Sequence, residues 1–525
     1  MKKIKRHLVI LLLLITGLTI SAQSIEEARK WMSYGQYPRA IQILESLTKT
    51  NPTNVQYFLW LGDAYSANGN ADKSMEAWRA ASTANPTDNY ALIASGRVQL
   101  AGNPTEAQKF FEKAIKNTKS KDAKILQTVG QSYLYAKQKD LDMAIEYLNK
   151  AISVDRSDPS IFMSLAEAYM AKRDAGSAMT NYEYAVEKST NKAEAYFKIG
   201  DVYLKAKNFE LAEKYLMNAR QADPNFPETY KLLGNYYYES AFDFSKAVEN
   251  YEKYNSMVNP NNDDLARFAN ALYANKQYDR SINVIKDILK SDPSATYLFK
   301  VVAQSYNQSG NLAEALEYMF KYLGNTKADK QEAADYIILG DIYNKQGADS
   351  IAMVNYLKAY NIDNKQTDML DTLIGYYNSQ KNYQEAAKYY ILKTKSPVAS
   401  LMDYFGLGRS YYLMKDYPNA DIAFSQIITL KPDAATGYLW SAKCKAKLDV
   451  ELITGAALPV YEKFIEVALP NADTYKKELG NAYVYLAYYQ LSKINDYSKA
   501  KEYAQLAITI DPDNPEATEM LKQLP

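Results

Sequence analysis

Apolar, small and polar positions along this chain recur in blocks of about 34 residues. The clearest marker is a small residue at Ala40, Ser74, Ala107, Ala144, Ala178, Ala212, Ala247, Ser281, Ala315, Ala352, Ala386 and Ala420, continuing less regularly through Ala457 and Ala500. Twelve positions upstream of most of these lies a second small residue with an aromatic three positions on, as in Gly62 with Tyr65, Gly130 with Tyr133, Gly200 with Tyr203, Gly340 with Tyr343 and Gly408 with Tyr411. Four and seven positions downstream come a bulky and a small residue, such as Trp78 with Ala81, Leu216 with Ala219 and Tyr356 with Ala359. Pro follows at Pro52, Pro86, Pro224, Pro293, Pro432 and Pro512.

Spacings of three, four and seven are helical, so each block predicts two helices, A and B, folded back on one another. Gly or Ala on helix A is expected to face Ala on helix B, letting the backbones approach while bulky residues fill the space beside them. Asn68-Gly69-Asn70 and Ser309-Gly310-Asn311 predict tight A–B turns, because Gly tolerates the left-handed conformation that ends a helix. Asp223-Pro224 and Asp292-Pro293 end B helices, since the residue before Pro is pushed out of the helical region.

This pattern resembles the tetratricopeptide-repeat (TPR) family over roughly residues 24 to 512, about thirteen or fourteen helix pairs. The resemblance implies an all-α solenoid, a right-handed superhelix whose A helices line a concave groove. The expected organisation is a leader at residues 1–22, a regular array at 23–445, less regular repeats at 446–512 and a capping helix at 513–525. Between Lys447 and Tyr475 the spacing loosens around Gly455, Pro459 and Pro470, which suggests a long turn, a bent helix pair and a hinge.

The first residues stand apart from the repeats. Lys2, Lys3, Lys5 and Arg6 precede an apolar run from Leu8 to Ile20 that ends in Ser21, Ala22 and Gln23, the layout of a secretory signal peptide cleaved after Ala22. No Cys follows the run, so a free, soluble periplasmic form is expected, with no transmembrane segment in the mature chain. Losing those four cations takes Lys plus Arg from 62 to 58 against 61 Asp plus Glu, a net charge of −3, with no basic block for nucleic acid.

The single His is His7 in the leader, and Cys444 is the only thiol. Intrachain disulfides, Cys/His zinc sites and His-based catalysis are therefore excluded, and no catalytic residue, cofactor or metal is assigned. No phosphate-binding Gly loop or nucleophile elbow occurs. Glu167 and Asp201 can be drawn as a glycosidase pair, but carboxylates are common on such grooves.

Most of the 48 Tyr fall at repeat packing positions. Function is expected on the A helices, at positions six and three before, and one and four after, their conserved small residue. In the middle repeats the candidate groove residues are Glu194, Phe197, Asp201, Lys231, Asn235, Tyr238, Arg267, Asn270, Tyr273, Tyr297 and Lys300, with Glu228, Asp263 and Asn307 beside them. Mixed charge with interleaved aromatics suits a protein or peptide segment. Lys231 and Asn235 match the start of the family's carboxylate clamp, but Arg267, Tyr297 and Val301 stand where its remaining residues belong, so that clamp is incomplete. The expected function is a non-enzymatic protein-binding scaffold or adaptor of the bacterial envelope, with a glycan- or peptidoglycan-handling protein as the alternative. On this reading, Lys231→Glu with Arg267→Glu abolishes partner capture and leaves the melting temperature unchanged.

Overall fold

The computed structural model describes residues 24–365, 367–397 and 399–525; the expected leader at 1–22 lies outside the described residues. These residues form fourteen helix pairs and a final helix, Pro515–Gln523, with no strand among them. They divide into two units. The first, ending at Ala295, holds eight pairs from Ile25–Ser33 with Tyr37–Thr50 to Asn262–Ala274 with Tyr278–Ser291. The second, from Thr296 onward, holds six pairs, beginning with Phe299–Ser309 and Leu312–Asn325, and the final helix.

Local chemistry starts and stops each helix. Asn70 and Asn208 cap B helices by accepting from the backbone N–H groups of Lys73 and Leu211, at 3.2 and 3.3 Å. Gly69 and Gly310 take φ of +79° and +84° at the A–B turns, as their type predicts. Other repeats put Lys207, Lys276 and Lys415 at that corner, also with positive φ.

Packing within a pair differs from the expectation in one respect. The small residue of helix A meets the bulky residue of helix B first, and the marker Ala joins the contact at Gly130, where the Ala144 carbonyl lies 3.1 Å from an added Cβ. A Cβ built on Gly62 would stand 2.3 Å from the Trp78 ring, and on Gly340 2.4 Å from Tyr356. Gly96 faces Phe111 and Gly408 faces Phe424 in the same way. Helix A thus opens a slot for a whole ring, and the Ala marker of helix B, fully buried at Ala212 and Ala352, packs alongside.

The irregular stretch is held down. The Asp449 carboxylate accepts from the backbone N–H groups of Ile453, Thr454 and Gly455 at 2.7, 3.0 and 2.8 Å and from the Thr454 hydroxyl. One apolar cluster then runs from Ala435 through Phe464 and Ala487 to Met520 and Leu524. The suggested hinge region is therefore packed continuously with the repeats on either side.

Candidate partner-binding face

In the first unit the A helices bring a charged network together. Asp63 pairs with the buried Arg97 of the next A helix and accepts from the Trp78 indole at 3.1 Å, while Arg97 Nε donates to Ser132 at 2.8 Å. Two repeats on, Glu167 accepts from the Tyr135 hydroxyl at 2.5 Å and pairs with Lys198 at 2.8 Å. Burial pushes the Glu167 carboxyl upward, but the Lys198 ammonium and the Tyr135 hydroxyl outweigh it and hold it below its usual value. Glu194, one turn from Lys198 on helix Ala193–Lys205, accepts no hydrogen bond among the described residues; burial is the main cause that raises its pKa to about 7, opposed by Lys198 and assisted by Glu167.

These groups converge from distant repeats. The Tyr37 phenol is raised first by burial, and the charges of Lys198, Glu167, Glu228 and Glu194 all act on it. Tyr135 senses Asp63 and Tyr37 as well as Glu167. The first repeat therefore lies against the sixth and seventh, and its A–B turn makes the contact. Tyr34 stacks on Phe226 with ring centroids 4.8 Å apart and donates its hydroxyl to Asp223. Gln36 Nε2 donates to Glu228 at 2.6 Å, and Gly35 between them sets its Cα face 3.4 Å from the Glu228 side chain, measured to an added Cβ. Tyr34, Phe226 and Ala193 are buried together, with Trp31 and Phe197 against them.

This turn, a clasp between the first and seventh repeats, uses several predicted groove residues. Phe197 lies 5.0 Å from the Phe226 ring, and Glu228 carries Gln36. Asp201 pairs with Lys205 along its own helix at 2.6 Å, so it and Glu167 form two separate ion pairs rather than an acid–base couple. Beyond the clasp, Lys231 pairs at 2.7 Å with the buried Asp264, which also accepts from Tyr254 at 2.9 Å. Charge reversal at Lys231 would set two carboxylates face to face in a buried site, so the expectation that it leaves stability unchanged is withdrawn.

Asn235 accepts from Tyr251 at 2.7 Å, and Tyr238 and Tyr273 lie against Phe244 and Tyr278 with rings 5.9 and 5.7 Å apart. Arg267 is half exposed and pairs with the exposed Glu239 at 2.9 Å; Asp263 is exposed and Asn270 half-buried on the same helix, Asn262–Ala274. In the second unit Tyr297 keeps 56% of its surface, and Lys300 pairs at 2.6 Å with the buried Asp335. Asn307, expected on the groove, is buried, and Lys345 of the next A helix donates to its backbone carbonyl at 3.0 Å.

Lys198 escaped the sequence reading because it sits two before its Gly, off the expected positions. Asp63, Arg97 and Glu167 do sit one after their small residue, so the same register, carried to the other repeats, finds them.

A solenoid of stacked helix pairs, in which small-residue slots on A helices are filled by a ring or aliphatic side chain of helix B, as at Gly62, Gly200 and Gly340, belongs to the tetratricopeptide-repeat family. Tetratricopeptide-repeat profiles match residues 32–89, 404–434 and 481–514, and the tetratricopeptide repeat protein 21 C-terminal ARM domain matches 106–305. The C-terminal part of a TPR repeat-containing protein from Cytophaga hutchinsonii is 31% identical, covering 49% of this chain and 99% of that one, with a TM-score of 0.34. A TPR repeat-containing protein of Methanocaldococcus jannaschii is 24% identical over 313 residues, 55% of this chain and 51% of its own. The BBSome complex member BBS4 of Bos taurus is 26% identical over 186 residues, 35% of each chain. This chain thus spans about half, or less, of the curated relatives' lengths.

Proposed function

We propose that the chain is a non-enzymatic scaffold or adaptor, exported to the bacterial envelope, that binds segments of partner proteins along its A helices. The supporting observation is how side chains divide on these helices. The conserved small residue serves packing, and its neighbours one after and three before present charged, amide and aromatic groups in successive repeats, as at Asp201, Asn235 and Asn270. A row of such groups at a regular rise suits an extended polypeptide. The relation to a member of a multiprotein complex agrees with an adaptor role, and the Lys-rich, apolar start of the chain supports export.

The face beyond the clasp, at Tyr238, Arg267 and Tyr273, is the part of the first unit assigned to partners. A photoreactive residue in place of Tyr238, crosslinked in living cells and followed by mass spectrometry of periplasmic and membrane fractions, tests this. Discrete protein adducts are the expected outcome. Retention on cell-wall glycan without protein adducts would replace this reading with a saccharide-binding one.

A further inference from the structure

We propose that the second unit carries a docking site for an extended acidic peptide segment on the A helices Leu401–Leu413 and Ala435–Leu448, with Arg409 and Lys443 receiving its carboxylates and a cavity between them and the preceding repeat receiving one apolar side chain. This rests on the scaffold reading and gives it a partner chemistry.

The cavity comes first. About 130 Å³ lies between the repeat of Asp368–Ser379 and Tyr383–Thr394 and helix Leu401–Leu413, walled by Tyr383, Tyr390, Met402, Phe405 and Leu413, with Asn378 and Ser410 as polar groups and Arg409 at its edge. Gly406 lets the Tyr390 ring approach, since a Cβ there would stand 2.2 Å from it. A space of this size lined by rings admits one aliphatic side chain or one aromatic ring. Met402 is 70% exposed at this face, an adaptable apolar contact for an arriving chain.

Charge comes second. Arg409 is exposed and makes no ion pair, hydrogen bond or ring contact among the described residues. One repeat on, Lys443 holds the same register, one after its small residue, and also makes no ion pair; its ammonium lies 4.7 Å from the centroid of the Trp440 ring. Trp440 contacts Phe405 at 5.8 Å and Tyr412 at 5.2 Å between centroids, so an aromatic floor runs from under Lys443 to the cavity wall. Burial lowers the Lys443 pKa and Glu478 opposes this.

Apart from Glu478, whose charge acts on Lys443, the neighbouring carboxylates are already engaged. Lys393 holds Asp371 and Asp403, and Asp421 takes Lys445 and the Ser441 hydroxyl. This leaves Arg409 unpaired among the described residues at the cavity edge, Lys443 without an ion pair over the Trp440 ring, and a side-chain-sized hole, which together are complementary to an acidic segment with an apolar residue. A basic segment meets like charge at both positions.

The test uses the full mature chain and a fluorescein-labelled peptide of alternating Asp and Leu, blocked at both ends so that no terminal carboxylate contributes, against the same peptide with Lys for Asp. Fluorescence anisotropy is expected to show binding of the acidic peptide only, weakened at least tenfold by Arg409→Ala and by Lys443→Ala, and unchanged by Arg267→Ala in the first unit. Thermal melting of Arg409→Ala is expected to match the parent, because that side chain is exposed and makes no ion pair or hydrogen bond among the described residues. Equal binding of the Lys peptide, or no change with Arg409→Ala, overturns the proposal. If the acidic peptide fails while Tyr238 still crosslinks proteins in cells, the scaffold reading stands and this site falls; if both fail, both fall.

Discussion

The Tyr34 hydroxyl donates to the Asp223 carboxylate across 189 residues of chain, and it does so from a ring stacked on Phe226. Burial and the Asp223 carboxylate both raise the phenol's pKa, so it stays a donor throughout the physiological range. Phe226→Ala removes the stacked partner and opens a buried space, a loss of about 3–5 kcal/mol at that contact. Hydrogen exchange is expected to speed up at least tenfold in Ile25–Ser33 and the following turn, with Leu141–Val154 unchanged. Tyr34→Phe keeps the stack and loses only the hydrogen bond, about 0.5–1.5 kcal/mol.

Glu194 gives the first unit a pH response without histidine. Its folded pKa, raised to about 7, lies above the ordinary value of 4.5, so between these limits the folded chain holds a proton that the unfolded chain has released. Stability from this group is therefore greatest below 4.5 and falls as pH rises towards 7. Glu194→Gln is expected to be more stable than the parent at pH 8, by on the order of 2 kcal/mol given the partial exposure of the group. The two should converge at pH 4.5, as read by denaturant melts.

Lys231 and Arg267 look alike on the expected groove and differ in what they hold. Lys231→Glu strands the buried Asp264 and is expected to cost about 3–5 kcal/mol, with a lower melting temperature. Arg267→Glu breaks an exposed pair with Glu239 and should change stability by less than about 1 kcal/mol. Arg267→Glu is therefore the variant for partner capture, and a loss of capture at unchanged melting temperature is the expected result.

Two glycines in the second unit separate packing from backbone preference. Gly340→Ala drives a Cβ into the Tyr356 ring and should destabilise by about 1–3 kcal/mol. Gly375→Ala, with nothing within 4 Å of the added Cβ, should be neutral or stabilising by about 0.5–1 kcal/mol through helix propensity. Thermal melts of the two variants check both signs.

Asp449→Ala removes the acceptor for three backbone N–H groups at residues 453–455. Exchange there is expected to rise by more than tenfold, while in the parent protein protection stays even from Ala435–Leu448 through Tyr497–Ile510. A parent with markedly faster exchange throughout Leu458–Ala468 would restore the hinge.

The repeats, their glycine turns and the helical register were legible in the sequence, because each is set by contacts within one or two neighbouring blocks, as with Asn70 capping its own helix; that Gly62 meets Trp78 and that Lys207 takes the turn corner were not. The clasp was not legible. Whether Tyr34 reaches Phe226 depends on small rotations summed over six repeats, and each residue alone resembles an ordinary turn aromatic. The Lys231–Asp264 pair was missed for a nearer reason: Asp264 lies five before its small residue, where the expected groove positions do not look. Arg409 and Lys443 lie on those positions in later repeats, beyond the middle ones.

The position just after the small residue of helix A holds an acid at Asp63, a base at Arg97 and an amide at Asn235, on one unchanging backbone plan. Selection could rewrite that column one letter at a time while the slot behind it keeps the architecture. Repeats sharing this framework can then differ in the chemistry they present while keeping the fold, and similarity in the slots is a poor guide to similarity along the column.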